Sequence, residues 1–355
     1  MKKKPVLVTG ATGFLGRHLL QALVQDPAVQ PIALVRDRKS WTSQNWTHGL
    51  KGIELIEGSV TQADSWSEDP RLQGLSGIYH LAAIIKHTRK DPEEMLHTNV
   101  EGMRAMVRLG AKYHCRVVFV STSGTVGCFP TPAESADERA PYQEKTVGAW
   151  PYYASKIRAE QEGKKLAAQL GVELVILRPP VLLGPGDHRM RATSHIARLL
   201  RGKLPFIVNG GMHFVDIRDV TQAMLRAMEI RNPKPVYHLC GTTYRIEDFF
   251  KTVAELGHVP PPKLQLPSFA AKLLAKTSGL LDSILPPRPH PFLPDPVVFE
   301  MASKYWGLKS LYAKQDLGFV SRNPEETLRD TIAWLRENVP ELKQAAEGKL
   351  KAAEL

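Results

Sequence analysis

An α/β architecture is predicted: a doubly wound parallel sheet with helices on both faces, followed by a smaller mixed α/β region. Three observations predict it. Short β-branched runs alternate with segments of helical spacing through the first half of the chain, as βαβ units require. A glycine-rich turn joins the first such run to the first helical segment. After Arg178-Pro179-Pro180 the texture changes, and prolines and glycines become frequent.

The candidate strands are, in order, Val6–Val8, Ile32–Val35, Ile53–Glu57, Ile78–Leu81, Val117–Ser121 and Leu174–Leu177. Between the first two, Leu15, Leu19, Leu20 and Leu23 recur at the spacing of one helix face. A helix opens near Pro151, closes before Gly171 and leads into the last strand. Residues 1–178 are therefore read as one unit and 179–355 as a smaller lobe that closes over it. Part of that lobe, Tyr237–Leu239, is expected to return to the main sheet. Pro286 to Pro296 holds six prolines and reads as extended chain.

The chain has 355 residues, 43% hydrophobic and 23% charged, which supplies a large core and excludes disorder as the main state. No uninterrupted run of about 18 apolar residues occurs, so no helix is expected to span a bilayer. Met1-Lys2-Lys3-Lys4 has the charge of a secretion signal, but the apolar run behind it stops at Thr9-Gly10. The three cysteines, Cys115, Cys128 and Cys240, have no metal-knuckle spacing, and a reducing, cytoplasmic setting is the natural expectation. The net charge of +11 reads as simple solubility, as a preference for phosphate-bearing ligands, or as attraction to an acidic membrane surface. No nucleic-acid signature accompanies it, and nucleic acid is not an expected partner.

Val6-Leu7-Val8-Thr9-Gly10-Ala11-Thr12-Gly13-Phe14-Leu15-Gly16 is a strand, a glycine-rich turn and a helix start. Gly10 permits the tight turn, Gly13 lets the main chain approach a pyrophosphate, and Gly16 lets the helix pack on the strand. The free N–H groups of the helix start favour an anion, so Gly10, Thr12, Gly13, Phe14, Leu15 and Gly16 are candidate cofactor-binding residues. Residues 1–178 thus read as an NAD(P)-binding unit. The second strand ends at Val35-Arg36-Asp37. Arg36 stands where an acidic residue would take the ribose hydroxyls of NAD(H), and a guanidinium suits the 2′-phosphate of NADP(H). NADP(H) is favoured; Asp37, one position later, keeps NAD(H) open.

Tyr152-Tyr153-Ala154-Ser155-Lys156 places Tyr152 and Lys156 four residues apart on one helix face. Hydride transfer at a carbinol needs a proton donor and acceptor beside the carbon, and a nearby ammonium favours a phenolate. Ser121-Thr122-Ser123 ends a strand at the carboxyl edge of the sheet, where open α/β sheets bind ligands. One of those hydroxyls can polarise a carbonyl; Ser121 and Ser123 read better as turn caps.

With these motifs in order, the chain resembles the extended short-chain dehydrogenase/reductases, the NAD-dependent epimerase/dehydratase superfamily, over most of its length. His80-Leu81-Ala82-Ala83, Asn99-Val100-Glu101-Gly102, Leu177-Arg178-Pro179, Gly184-Pro185-Gly186-Asp187, Phe214-Val215-Asp216 and Leu317-Gly318-Phe319 follow the same pattern. The dihydroflavonol-reductase and 3β-hydroxysteroid-dehydrogenase branch and the hopanoid-associated relatives are the most similar groups. The resemblance implies a Rossmann-type fold and a catalytic Thr122, Tyr152 and Lys156, with Lys156 also holding the nicotinamide ribose. It implies that Leu81, Ala82, Ala83, Asn99 and Pro179 line or support the cofactor, that Ser59 and Val60 flank the adenine, and that two copies form a homodimer.

Three departures bear on the reaction. Gly58-Ser59-Val60 replaces a common adenine-contacting Asp. Val181 stands where nucleotide-sugar enzymes often have Asn. Ser123-Gly124 replaces the Asp-Glu pair of sugar dehydratases. The expected activity is reduction of a ketone, or oxidation of the matching alcohol, on a largely apolar sterol-, polyketide- or flavonoid-like substrate. A nucleotide-sugar epimerase and a non-catalytic NADP-sensing regulator are the alternatives. The resemblance implies that the loop between Cys128 and Trp150 touches substrate; a mobile surface loop is the alternative. His188, Arg189, Arg191, His195, Arg198, Arg201 and Lys203 read either as an anion site or as a solvated helix face. Leu264–Leu285 reads as a packed helix, an apolar lid or a membrane-surface helix, the last implying peripheral membrane contact.

Overall fold

The computed structural model describes residues 3–267, Ala270, Leu273 and 295–344. Side-chain alternation in the first strand sets the layers. In β1 (Lys4–Thr9), Val6 and Val8 face one way and Leu7 the other. Val6 and Val8 join Leu15, Leu19, Leu20 and Leu23 of α1 (Phe14–Leu23), while Leu7 joins the opposite core. The chain continues through β2 (Val29–Val35), β3 (Glu54–Glu57), β4 (Gly77–His80), α2 (Pro92–Tyr113), β5 (Arg116–Val120), α3 (Pro151–Leu170) and β6 (Leu174–Arg178). Both faces of these strands are buried, as a parallel sheet covered by helices demands.

After β6 the chain makes β7 (Val181–Leu183), β8 (Gly211–Asp216) and α4 (Ile217–Glu229). It then re-enters the main sheet as β9 (Val236–His238), beside β6. The main sheet has seven parallel strands in the order β9-β6-β5-β4-β1-β2-β3. Its order reverses between β1 and β4, so the crevice at their carboxyl ends is where a ligand of this architecture binds. The α/β class and the strands expected from the sequence are present. A second lobe is built on β7, β8 and β10 (Thr242–Arg245), with α5 (Ile246–Leu256) and α6 (Pro324–Asn338) enclosing a separate core around Phe214, Phe249 and Leu328.

One expectation is corrected, and the structure bears on a second only at its end. No described residue between Cys128 and Trp150 lines the cleft. Cys128–Phe129 pairs with Tyr305–Trp306, and Ala136 bridges Leu308, so the loop is tied to the strand that carries Trp306 into the cleft wall and contributes no lining residue of its own. Of Pro286–Pro296 only the end is described, and there Pro296 opens a helix, Pro296–Ala302, capped by Asp295. Proline fits that first turn because the N–H it lacks has no helical partner there. Of Leu264–Leu285, Leu264–Leu266 pairs with Phe206–Val208, and most of the remainder lies outside the described residues.

Candidate active site

The phosphate end of the cleft is main chain. Gly10 has φ +70°, and a Cβ there would lie 2.7 Å from Ala82 N, so the β1 turn and the β4 exit touch through bare backbone. Thr9 Oγ1 secures the contact by accepting from the N–H groups of Leu81 and Ala82, each at 3.2 Å, while bonding His80 Nδ1 at 2.8 Å. Gly16 packs on the turn, since a Cβ would sit 2.3 Å from Gly10 O. The start of α1 carries no side-chain cap and no acidic residue in its first turn. Its N–H donors therefore stay open to an anion, and the turn fits a dinucleotide pyrophosphate.

One cleft of about 2590 Å³ runs from this turn into the second lobe, large enough for a dinucleotide together with a second ligand. Gly10, Thr12, Gly13, Phe14, Leu15, Gly16, Arg36, Ser59, Val60, Leu81, Ala82, Ala83, Thr122, Tyr152, Lys156 and Pro179 all line it. Asn99 does not. It is buried beneath the wall, accepting from Ile84 N at 2.8 Å and donating to Ile84 O at 3.1 Å and to Ser155 Oγ at 2.9 Å. Asn99 thus ties the β4 exit to α3 rather than touching the cofactor space.

Tyr152 and Lys156 share one face of α3, as their spacing predicts. Burial holds the Tyr152 phenol well above its ordinary pKa, with the neighbouring Thr122 side chain opposing. Lys156 Nζ donates to the Val120 carbonyl at 2.8 Å and lies 4.4 Å from the Phe119 ring centroid. Burial lowers its pKa to about 7, opposed by Glu160. Glu160 is one further turn along the same face, and the sequence reading missed it. Its carboxylate accepts from Ser121 Oγ at 2.5 Å and pairs with Arg178 at 2.5 Å, both in the interior, and accepts from the half-buried Tyr142 Oη at 3.0 Å. The i, i+4 rule could have found Glu160, but the Arg178 partner belongs to another strand. Ser121 therefore spends its hydroxyl on structure.

Beyond Tyr152 the cleft is aromatic. Tyr153 lies 5.1 Å from the Tyr152 ring and stacks on Trp306 at 5.5 Å, and His87 meets Tyr152 edge-on at 5.6 Å. Val298, Met301, Phe206, Met212 and Phe250 continue this wall. His87 and Trp306 had no sequence signal, because each comes from a loop or a short strand that only tertiary pairing brings here. All seven residues of the basic run line the cleft, but they differ in what else engages them. His195 packs against Phe249 and Phe250, where burial lowers it to about 4, and Arg201 pairs with Glu341. Arg189, Arg191 and Arg198 have no ion-pair partner among the described residues.

At the adenosine end, Arg36 is exposed and lines the cleft, whereas Asp37 is not a lining residue. Asp37 caps the short helix Arg38–Thr42, accepting from Ser40 N at 2.7 Å.

A glycine-turned phosphate cradle at a sheet crossover, beside a tyrosine and lysine on one helix face, defines an NAD(P)-dependent enzyme of the extended short-chain dehydrogenase/reductase type. The chain belongs to the NAD dependent epimerase/dehydratase family, whose sequence profile matches residues 6–240. It is 29% identical over 343 residues to a Synechocystis protein named as a dihydroflavonol 4-reductase, covering 93% of this chain and 94% of that one. It is 28% identical over 339 residues to sterol demethylase protein B of Methylococcus capsulatus, covering 93% and 98%. The crystal structure of gox2253 superposes with a TM-score of 0.77 at 27% identity, covering 95% of this chain and 99% of that one. UDP-glucose 4-epimerase of Thermotoga maritima shares the fold, with a TM-score of 0.72 at 20% identity and coverage of 94% and 99%.

Proposed function

We propose that the protein is an NADP-dependent reductase of a ketone carried on a largely apolar substrate. The observation that carries this reading is the position of Tyr152: a neutral, buried phenol beside Thr122, in a cleft that holds the phosphate turn at one end and an aromatic wall at the other. A bound nicotinamide supplies the hydride. Tyr152 Oη then gives its proton to the carbonyl oxygen, and Thr122 holds that oxygen in line. A phenol that stays protonated at neutral pH suits reduction, since the proton is on the donor before reaction begins. Lys156, charged below about pH 7 before any ligand binds, favours the phenolate left behind. Arg36 offers a guanidinium to a 2′-phosphate, while Asp37 is engaged as a helix cap, and this supports NADP over NAD.

The named reductase and sterol-demethylase relatives support an apolar substrate. Val181 lines the cleft without offering a hydrogen bond, and the Tyr153–Trp306 wall offers stacking faces rather than donors for a sugar. The test is NADPH consumption with a panel of sterol-, polyketide- and flavonoid-like ketones, run beside a panel of sugar nucleotides. Ketone-dependent oxidation of NADPH is expected. Epimerisation of a sugar nucleotide with no net cofactor consumption overturns the reading.

A further inference from the structure

The second lobe sends a strap back across the phosphate turn. Its start is pinned where His18 Nε2 bonds Pro185 O at 2.8 Å. Its far end is pinned by the buried Asp187 carboxylate, which accepts from Ala192 N at 2.9 Å and from Thr193 N and Oγ1, each at 3.0 Å. Between these anchors His188 meets Arg17 of α1 at 2.9 Å, and Arg189 Nη2 reaches Thr12 Oγ1 in the glycine-rich turn at 3.4 Å. Arg189 has no carboxylate partner among the described residues; Asp187, beside it, is consumed by backbone donors. Arg36 lines the same cleft, also without a carboxylate partner among the described residues. Partial burial and the neighbouring Arg191 and Arg36 guanidiniums hold Arg189 below its ordinary pKa. Asp187 opposes that shift but forms no ion pair with Arg189. Guanidiniums gathered on a phosphate turn, with no carboxylate paired to them among the described residues, leave a place for an anion.

We propose that Arg189 is a phosphate ligand of the bound dinucleotide, delivered by the second lobe, so that cofactor binding spans both lobes. The 2′-phosphate is the group assigned to it, a choice that rests on the NADP reading above. The pyrophosphate is the other source of the same chemistry.

Calorimetric titration of NADP+ and NAD+ into the wild type, Arg189→Gln, Arg189→Lys and Arg36→Gln tests this. Arg226→Gln, an exposed arginine that does not line the cleft, controls for net charge. The expected result is a loss of about tenfold or more in NADP+ affinity for Arg189→Gln, partly recovered in Arg189→Lys, with NAD+ and the control little changed. Equal losses for both dinucleotides keep Arg189 as a phosphate ligand and move it to the pyrophosphate. Unchanged affinity for both overturns the proposal. A wild type that prefers NAD+ overturns the NADP reading instead and leaves Arg189 to be judged by its own variants, whereas an Arg36→Gln variant that keeps its NADP+ affinity takes the 2′-phosphate off Arg36 and leaves it to Arg189.

Discussion

The two ends of the cleft are made of different material. At the nucleotide end the contacts are main chain, drawn from the contiguous turn Gly10–Gly16 and the β4 exit, and the shape follows from one positive φ and two close approaches. At the substrate end the wall is side chain. His87 comes from a loop, Tyr152 and Tyr153 from α3, Phe206 and Met212 from the second lobe, and Trp306 from a two-residue strand. Main-chain geometry tolerates wide sequence change, provided the glycines stay. Side-chain walls change with every substitution. Relatives sharing under a third of their residues can therefore keep one cofactor end and hold different substrates.

The largest expected break in that contrast is Tyr152→Phe. It removes the proposed proton donor but leaves the ring that packs against Tyr153 and His87. Turnover should fall about 10²–10⁴-fold, while NADP+ affinity stays within about twofold. Retained activity would remove Tyr152 from the reaction. Breaking the support beneath the site comes next. Arg178→Leu leaves the buried Glu160 charge without its partner, at a cost of about 3–5 kcal/mol. The pair holds Glu160 below the usual carboxylate range, so its contribution is present above the ordinary carboxylate pKa and is lost as pH falls through the lower folded value. Urea melts from neutral to acid pH should therefore show a shallower acid decline in Arg178→Leu than in the wild type.

At the nucleotide end, Gly10→Ala places a Cβ 2.7 Å from Ala82 N at a backbone angle that L-residues avoid. A loss of about 2–4 kcal/mol is expected, together with loss of the thermal shift that NADP+ gives the wild type. Lys156→Met has the opposite sign. Because burial lowers Lys156 to about 7 from an unfolded value near 10.5, its charge opposes folding below pH 7, and that opposition fades as pH rises between the two values. The variant should be inactive, yet more stable than the wild type by about 1–3 kcal/mol at pH 6, with the advantage gone near pH 10. A variant less stable at pH 6 would mean that the Val120 and Phe119 contacts outweigh the cost of burying the charge.

The same division decided what could be read from the sequence. The strands, α3 between Pro151 and Leu170, the phosphate turn and the Tyr152–Lys156 spacing were legible because each is set by residues within one or two turns of one another. Asn99 was visible as part of a motif, but its bonds to Ile84 and Ser155 depend on α2 meeting two other elements. The place of the Cys128–Trp150 loop was not legible because Tyr305–Trp306, its pairing partner, lies far along the chain. Within the basic run, nothing local distinguishes His195, held between two phenylalanines, from Arg189, which reaches the phosphate turn.

Asp37 gives the smallest and sharpest test of how the two ends divide. As a ribose ligand it would matter to NAD+ affinity; as the cap of Arg38–Thr42 it matters only to that short helix, through its bond to Ser40 N at 2.7 Å. Removing an N-cap costs about 1 kcal/mol, and this helix borders the adenosine end through Ser40 and Ser43. Asp37→Ala should therefore lower the midpoint of thermal unfolding slightly and leave the ratio of NADP+ to NAD+ affinity within about twofold of wild type. A selective collapse of NAD+ binding would put the carboxylate on the ribose and return the adenosine end to NAD. An unchanged ratio would leave Arg36 as the residue at this strand end that chooses between the two cofactors, a side-chain decision at the edge of a main-chain site.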